Sequence, residues 1–234
     1  MGPHTLSVVL PAYNEEGNIE TAISHALAVL PSCARDFEVI VVDDCSRDRT
    51  GELALAYARR DRHVRVVTNS RNLGLGGSMR AGFEASRGEL VFYTDSDLPI
   101  DMADLAPAVP LMSRYDLVAG YRLNRDEGVR RALYSWAYNR LVSWLFGLGV
   151  RDVNFSFKLV KRGVLEAVEL RSRGSFIDVE LLAETVAAGF AVGEMGVRYT
   201  PRVWGTSTLA SPRVIRGILV EMSAYRHTRR RIRR

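Results

Sequence analysis

The sequence predicts a single α/β domain built on a mainly parallel sheet. Two observations support this prediction. Short apolar segments alternate with segments of helical length, and several of the apolar segments end in acidic or turn residues. Strands that alternate with helices in this way indicate a parallel sheet. The length of 234 residues is within the range of one such domain.

The first half of the chain has the more regular pattern. We expect strands over residues 6–11, 37–43, 64–68, 90–95 and 116–120, and helices over 19–30, 50–61, 77–87 and 102–113. In the second half we expect strands over 157–160 and 191–199 and helices over 178–188 and 212–226. The apolar segment 133–150 predicts a helix packed on the sheet, although its aromatic residues also suit a membrane interface.

The positive charge is concentrated at the end of the chain. Removing the six arginines among residues 226–234 from the formal net charge of +5 leaves −1. We therefore divide the chain into a domain over 1–225 and a basic tail over 226–234. The tail suits an anionic membrane surface. We expect no nucleic-acid partner, because no RNA-binding or helix-turn-helix motif accompanies the tail.

Cysteine content and hydropathy narrow the class of protein further. Cys33 and Cys45 are the two cysteines, and they are too far apart in sequence to indicate a disulfide scaffold or a zinc site. We expect no transmembrane segment, since Asn139 and Arg140 interrupt the most apolar helical candidate. The chain begins almost directly with a strand, so we expect no signal peptide and a cytoplasmic protein, peripheral to a membrane if its tail binds lipid.

The segment Tyr93–Pro99 is the most informative part of the sequence. Asp95 and Asp97 follow a hydrophobic strand and so reach the carboxyl edge of the sheet, where open α/β sheets bind ligands. Carboxylate oxygens suit Mg²⁺ or Mn²⁺, which proteins often hold through one or two carboxylates and the phosphates of a substrate. The pattern predicts an enzyme that binds a diphosphate through a metal ion.

A second acidic pair follows the strand at 37–43. Ser46 and Asp48 suit the start of the next helix, because polar and acidic side chains favour helix N-termini. Asp43 and Asp44 are less well explained in that way, since adjacent buried carboxylates repel each other unless donors satisfy them. A nucleoside offers such donors in its base N–H groups and ribose hydroxyls. The glycines at 74, 76 and 77 do not form a dinucleotide-binding motif, and we expect them to let backbone approach the nucleotide.

Four ordered motifs resemble those of family 2 glycosyltransferases, which have the GT-A fold. They are PAYNEE at 11–16, VDDCS at 42–46, NLG at 72–74 and DSD at 95–97. Four further segments resemble polyprenyl-phosphate mannose and glucose synthases: GYR at 120–122, RR at 130–131, DVNFSFK at 152–158 and RVWGTS at 202–207. The resemblance covers residues 5 to 210 and implies a Rossmann-like nucleotide-binding half in one GT-A domain.

The resemblance assigns roles to individual residues. It implies that Asp97 binds the metal ion and that Asp95 binds the metal ion or the ribose. The base and ribose pocket is implied to contain Pro11, Tyr13, Glu15 and Asp43, with Asp44 adjacent. The resemblance implies that Arg122 and Arg131 face the acceptor phosphate or the donor diphosphate, a task for which the planar guanidinium group is suited.

We therefore expect inverting transfer from a GDP- or UDP-sugar to polyprenyl phosphate. Two departures keep further activities open: Pro99 replaces the glutamine of the synthases and Thr208 replaces their lysine. A transferase to a sugar hydroxyl would need a general base, for which Asp178 and Glu180 are candidates, although both also suit the simpler role of helix N-terminal charges. The sequence is also compatible with a nucleotide-sugar isomerase of the pyranose–furanose mutase type and with a non-catalytic nucleotide-sugar binding module.

Overall fold

A computed structural model describes residues 3–123, 128–199 and 212–232. Within these residues, seven strands form one sheet. They are Thr5–Ala12 (β1), Asp36–Asp43 (β2), Val64–Thr68 (β3), Leu90–Tyr93 (β4), Leu117–Arg122 (β5), Lys158–Lys161 (β6) and Val192–Val197 (β7). The described helices are Ile19–Cys33 (α1), Thr50–Arg60 (α2), Gly74–Ala85 (α3), Leu105–Ala108 (α4), Gly128–Phe146 (α5), Arg162–Ala167 (α6), Ile177–Ala187 (α7) and Pro212–Ile232 (α8).

The sheet has the order β3-β2-β1-β4-β6-β5-β7. All neighbouring strands are parallel except β6, which runs antiparallel to β4 and to β5. The predicted mainly parallel α/β fold is therefore confirmed. The reversed β6 places Lys158 directly opposite Tyr93, and opposite residues of an antiparallel pair project from the same face of a sheet.

The core lies on both faces of the sheet. In β1, Leu6, Val8 and Leu10 face one hydrophobic cluster, which includes residues of α1 and α4, whereas Val9 faces the other. The second cluster includes residues of α3, α5, α7 and α8. Burial on both faces explains why the strands read as continuous apolar segments rather than as an alternating pattern.

One predicted helix is interrupted. Residues 102–113 were expected to form a single helix, but α4 is a single turn of α-helix between two 3-10 turns, Met102–Asp104 and Val109–Ser113. Pro107 and Pro110 lack the N–H groups that a continuous α-helix needs in this segment. Strand β4 also ends at Tyr93 rather than at residue 95, so Asp95 and Asp97 lie in the loop that follows it.

Candidate active site

A cavity of about 950 Å³ opens at the carboxyl ends of β1, β2 and β4. Its walls come from the loops that follow these strands and from the start of α7, the part of an α/β sheet where ligands bind. The residues that line it are 11–18, Asp44, Asp48, Leu75, Ser78, Tyr93, Asp95, Ser96, Asp97, Asn154, Ser175 and Asp178. Pro11, Tyr13, Glu15, Asp44, Asp95 and Asp97 are thus brought together around one cavity.

The loop after β4 carries the two predicted metal ligands. The Tyr93 hydroxyl donates a hydrogen bond of 3.0 Å to Asp95 Oδ1. Ser96, between the two aspartates, donates to the Pro11 carbonyl at 2.6 Å and so fixes this loop to the end of β1. Leu98 has a φ of +45°, a left-handed conformation that is costly for a branched residue. The loop is therefore held in a strained, defined conformation that presents Asp95 and Asp97 to the cavity.

The fit of this loop to a divalent cation follows from its donor set. Asp95 and Asp97 both line the cavity, and the side chain of Asp97 is buried. Among the described residues no group of three or more histidine, cysteine and acidic side chains converges as a preformed metal site. Two carboxylates with space for phosphate oxygens and water nevertheless match the way proteins bind Mg²⁺, so these residues fit Mg²⁺ or Mn²⁺.

Asp178, which lines the cavity, belongs to a buried ion pair. Lys158 is fully buried, and its Nζ donates to Asp178 Oδ1 at 3.0 Å and to the Phe155 carbonyl at 2.5 Å. Burial raises the pKa of Asp178 to about 6, while Lys158 opposes the rise and the nearby Asp95 adds to it. Asp178 is consequently a cavity carboxylate that titrates close to neutral pH.

Tyr93 is hydrogen-bonded to Asp95 and lies within the electrostatic influence of Asp178. Its pKa is raised well above the usual value, first by complete burial and then by the negative charges of Asp95 and Asp178. The phenol therefore stays protonated and remains a hydrogen-bond donor to Asp95. Tyr93 and Lys158 lie opposite each other on β4 and β6. Tyr93 holds Asp95 of the loop after β4, and Lys158 holds Asp178 of α7.

The loop after β1 is fixed to the loop after β2. The backbone N–H of Asn14 donates to Ser46 Oγ at 3.1 Å, and the N–H of Glu15 donates to Thr50 Oγ1 at 2.8 Å. Asn14 and Cys45, one in each loop, have φ values of +56° and +61°. Like Leu98, they are non-glycine residues in the left-handed region beside the cavity, where strained backbone often marks a functional site.

The pair Asp43–Asp44 is satisfied largely by the protein itself. Asp44 accepts hydrogen bonds from Asn69 Nδ2 at 2.8 Å and from the backbone N–H groups of Leu73 and Gly74 at 2.8 and 2.9 Å. Asp43 accepts from the N–H of Ser46 at 3.1 Å. Asp44 thus anchors the start of α3 and also lines the cavity. Asp43 is buried and is not among the residues that line the cavity.

The glycines at the start of α3 serve close packing within the protein. A Cβ on Gly74 would lie 2.5 Å from the Arg173 carbonyl oxygen, and one on Gly76 would lie 2.2 Å from that of Ser172. The N–H of Gly76 donates to the Arg173 carbonyl at 2.9 Å. The backbone that approaches these glycines is that of the segment before α7, and the expected approach to a nucleotide stays a prediction.

The predicted phosphate-binding arginines are placed differently from the acidic residues. Arg122, at the end of β5, forms a bidentate ion pair with the buried Asp152, at 2.8 Å from Nε and 3.3 Å from Nη2. Its guanidinium carbon lies 5.5 Å from the ring centres of Phe155 and Tyr199. Arg122 is not among the residues that line the cavity. The side chain of Arg131 and the segment 200–211, with Thr208, lie outside the described residues.

The two acidic residues of α7 have different environments. Glu180 accepts hydrogen bonds from the backbone N–H groups of Arg171 and Ser172 at 3.0 and 2.8 Å, so it holds the segment before α7. Asp178 instead faces the cavity.

The sequence analysis assigned no role to Lys158 or Tyr93. A lysine within a predicted apolar strand could have indicated a buried ion pair, since lysine is rarely buried without a partner.

A nucleotide-sized cavity at the carboxyl edge of a mainly parallel sheet, with an Asp-x-Asp loop on its wall, defines the class of GT-A glycosyltransferases. The model of the family described as glycosyl transferase family 2 matches residues 7–168, and the chain belongs to this family.

Several characterised relatives have sequences similar to this chain. Glycosyltransferase AglD of Haloferax volcanii is 36% identical over 207 residues, which cover 84% of this chain and 33% of that protein. The dodecaprenyl-phosphate galacturonate synthase of Rhizobium johnstonii is 32% identical, with 92% of this chain and 64% of that protein covered. The undecaprenyl-phosphate 4-deoxy-4-formamido-L-arabinose transferase of Pseudomonas paraeruginosa is 34% identical, with 90% and 62% covered. The chain thus spans about one third to two thirds of the length of these relatives.

Solved structures of glucosyl-3-phosphoglycerate synthase from Mycobacterium tuberculosis share the fold. The complex with Mn²⁺, UDP-glucose and phosphoglyceric acid aligns with a TM-score of 0.73 and 23% identity, covering 94% of this chain and 79% of that one. The complex with Mn²⁺, UDP and glucosyl-3-phosphoglycerate aligns with a TM-score of 0.64 and 25% identity, covering 87% and 73%.

Proposed function

We propose that this chain is the catalytic domain of a metal-dependent inverting glycosyltransferase that uses a GDP- or UDP-sugar and polyprenyl phosphate. The observation that carries the proposal is the Asp95–Asp97 loop, which presents two carboxylates to a cavity at the carboxyl edge of the sheet. Family membership supports glycosyl transfer, and two of the similar proteins are named for polyprenyl-phosphate acceptors. The solved complexes with Mn²⁺ and UDP-glucose support the choice of a metal ion and a nucleotide sugar.

In this proposal, Asp95 and Asp97 hold Mg²⁺ or Mn²⁺. Bound there, the cation would act as a Lewis acid that stabilises negative charge on the leaving diphosphate. Tyr93 keeps Asp95 oriented through its hydrogen bond, while Pro11, Tyr13 and Glu15 contact the base and ribose. We extend the ribose role to Asp44, which lines the cavity, and to Asp43, which precedes it in the chain and is buried.

The reaction forms a bond from an acceptor phosphate oxygen to the anomeric carbon as the bond from that carbon to the donor diphosphate breaks. The electron pair of the broken bond leaves with the nucleoside diphosphate, and the configuration at the anomeric carbon is inverted. A phosphate acceptor is already ionised and needs no general base. We propose that Arg122 and Arg131 bind phosphate oxygens through the bidentate arginine fork, Arg122 by exchanging its pair with Asp152 for the phosphate.

A transferase with a hydroxyl acceptor is the second candidate, and the position of Asp178 in the cavity favours it. A hydroxyl must lose a proton, and a carboxylate with a pKa of about 6 can accept one near neutral pH. With such an acceptor, kcat/KM would fall as the pH drops through about 6, because Asp178 becomes protonated. With a phosphate acceptor, Asp178 would impose no such requirement.

The test is an incubation of the protein with GDP-, UDP- and dTDP-sugars and Mn²⁺, with and without polyprenyl phosphate, followed by chromatography and NMR. We expect turnover of one donor after the lipid is added and loss of turnover in Asp97→Asn. Asp36→Asn, at the opposite edge of the sheet, is the matched control and should keep full activity. An isomeric nucleotide sugar formed without acceptor would identify a mutase instead, and no turnover with any donor or acceptor would favour a binding module.

A further inference from the structure

The outward side of α5 carries two tryptophans that the core does not use. Trp136 and Trp144 are 61% and 78% exposed, although tryptophan is highly buried on average. Arg140 lies between them and is also exposed, and residues at intervals of four share one side of a helix. On the other side of α5, Val142 is completely buried. The helix therefore packs by one side and presents a Trp-Arg-Trp stripe on the other.

Helix α8 also presents apolar side chains to solvent. Leu219 and Val220 are 48% and 61% exposed, next to the exposed Arg216, whereas Ile218 is buried in the core. The two helices are neighbours, because the rings of Phe146 and Tyr225 are 5.5 Å apart at the edge of the core. We call the exposed side chains of the two helices the docking face; they are Trp136, Arg140, Trp144, Arg216, Leu219 and Val220.

The positive charge of the docking face indicates an anionic partner. Over the parts of α5 and α8 whose side chains are described, Glu221 is the one acidic residue. Its carboxylate is turned away from the docking face, since it accepts hydrogen bonds from the N–H groups of Arg173 and Gly174 at 2.9 Å. Exposed tryptophan and aliphatic side chains together with unopposed arginines are the composition of a helical surface that lies in the interface of an anionic bilayer.

The docking face is also connected to the cavity wall. Phe146, at the end of α5, packs edge-on against Phe176 with ring centres 6.0 Å apart. Phe176 immediately precedes α7, whose second residue, Asp178, lines the cavity. Helix α5 is therefore in direct contact, through these two rings, with the residue that precedes the cavity-lining start of α7.

We propose that the docking face binds the surface of an anionic bilayer and so brings the cavity to a lipid-linked acceptor phosphate. This inference rests on the proposed function for the identity of the acceptor, but binding to lipid can be measured without it. Among the described residues no helix is both long and apolar enough to cross a membrane. The proposal concerns a helical face lying on the bilayer, with its arginines attracted to anionic head groups.

The experiment is co-sedimentation of the full chain with vesicles of phosphatidylcholine, alone or mixed with phosphatidylglycerol, while tryptophan fluorescence is recorded. We expect binding to the mixed vesicles with a blue shift of the emission, and weaker binding as salt is raised. The double variant Trp136→Ala/Trp144→Ala should bind on the order of tenfold more weakly, because it loses the apolar anchors. The matched control is Leu55→Ala/Val186→Ala, which removes exposed apolar side chains outside the docking face and should bind normally.

Each outcome has a defined meaning. Unchanged binding of the tryptophan double variant would overturn the proposal and assign binding to the basic tail. A dimer of the parent chain that dissociates in the double variant, seen by light scattering, would also overturn it and identify a second copy as the partner. Transfer to polyprenyl phosphate in detergent without vesicle binding would refute the docking face alone, whereas vesicle binding without transfer to any acceptor would refute the proposed function alone.

Discussion

Replacing Lys158 by methionine should destabilise the protein strongly, and more so at alkaline pH. Lys158 is fully buried and donates to Asp178 and to the Phe155 carbonyl, so Lys158→Met leaves a buried carboxylate without its cation. Removing one partner of a buried ion pair typically costs about 3–5 kcal/mol in the free energy of unfolding. We expect a loss of this size at pH 8.

The pH dependence follows from the pKa of Asp178. Its value of about 6 in the folded protein lies above the usual 3.8, so the group contributes stability that is present below about pH 4 and is lost as the pH rises through about 6. Without Lys158 the folded pKa rises further, since the cation that opposes the effect of burial is gone. At pH 5 the carboxyl is protonated, and the cost should fall to about 1–2 kcal/mol for the lost hydrogen bonds.

Urea denaturation at pH 5 and pH 8 measures both values. Lys161→Met is the matched control: Lys161 lies on the same strand, and its ion pair with Asp116 at 2.9 Å is partly exposed to solvent. That pair should contribute about 0.2–1 kcal/mol. The double variant Lys158→Met/Asp178→Asn should recover most of the loss at pH 8, because it removes both charges. Equal costs for Lys158→Met and Lys161→Met, or a cost that is the same at both pH values, would refute the reasoning.

Three further outcomes are expected. Tyr93→Phe removes the hydrogen bond to Asp95 and should weaken Mn²⁺ binding by about 10–100-fold in titration calorimetry, with little change in thermal stability; unchanged affinity would exclude an orienting role. Asp44→Ala removes the carboxylate that accepts from Asn69 and from the N–H groups of Leu73 and Gly74, and should cost about 3 kcal/mol in urea denaturation, a loss that a merely solvent-exposed carboxylate would not produce. Gly76→Ala should cost about 1–3 kcal/mol because its Cβ meets a backbone carbonyl at 2.2 Å, whereas Gly163→Ala, with nothing within 4 Å of the new Cβ, should be neutral or slightly stabilising; similar melting temperatures for the two variants would contradict this assignment.

Strands β1, β2 and β4 were predictable because each is a largely buried apolar segment with an acidic or turn residue at or after its end, and β3 because it is rich in valine. The helix predicted over 102–113 failed at Pro107 and Pro110, where proline broke a pattern that hydrophobicity alone suggested. The antiparallel direction of β6 was not predicted, since a four-residue segment, here Lys-Leu-Val-Lys, carries no information about its partner strand.

The part of the candidate site that could be predicted consists of polar residues that directly follow a strand in the sequence. Asp95 and Asp97 were identifiable because carboxylates that follow a buried strand reach a shared edge of the sheet. The role of Asp44 as an anchor for α3 was not readable, because its donors at Asn69 and Leu73 come from elsewhere in the chain. The pairing of Lys158 with Asp178 depends on contacts between β6 and α7, and only the folded chain brings these together.

The reversed strand β6 also divides the sheet by sequence. On one side of the β4–β6 contact lie β1 to β4, all contributed by residues 5–93, and on the other side lie β5 to β7 from residues 117–197. The cavity spans this seam, with the Asp95 loop on the first side and Asn154 and Asp178 on the second. Substitutions among the cavity residues contributed by 117–197 can therefore accumulate without changing the hydrogen bonds between the loops after β1 and β2. In the proposed reaction, the two sides of the seam would allow the acceptor to change while the donor is kept.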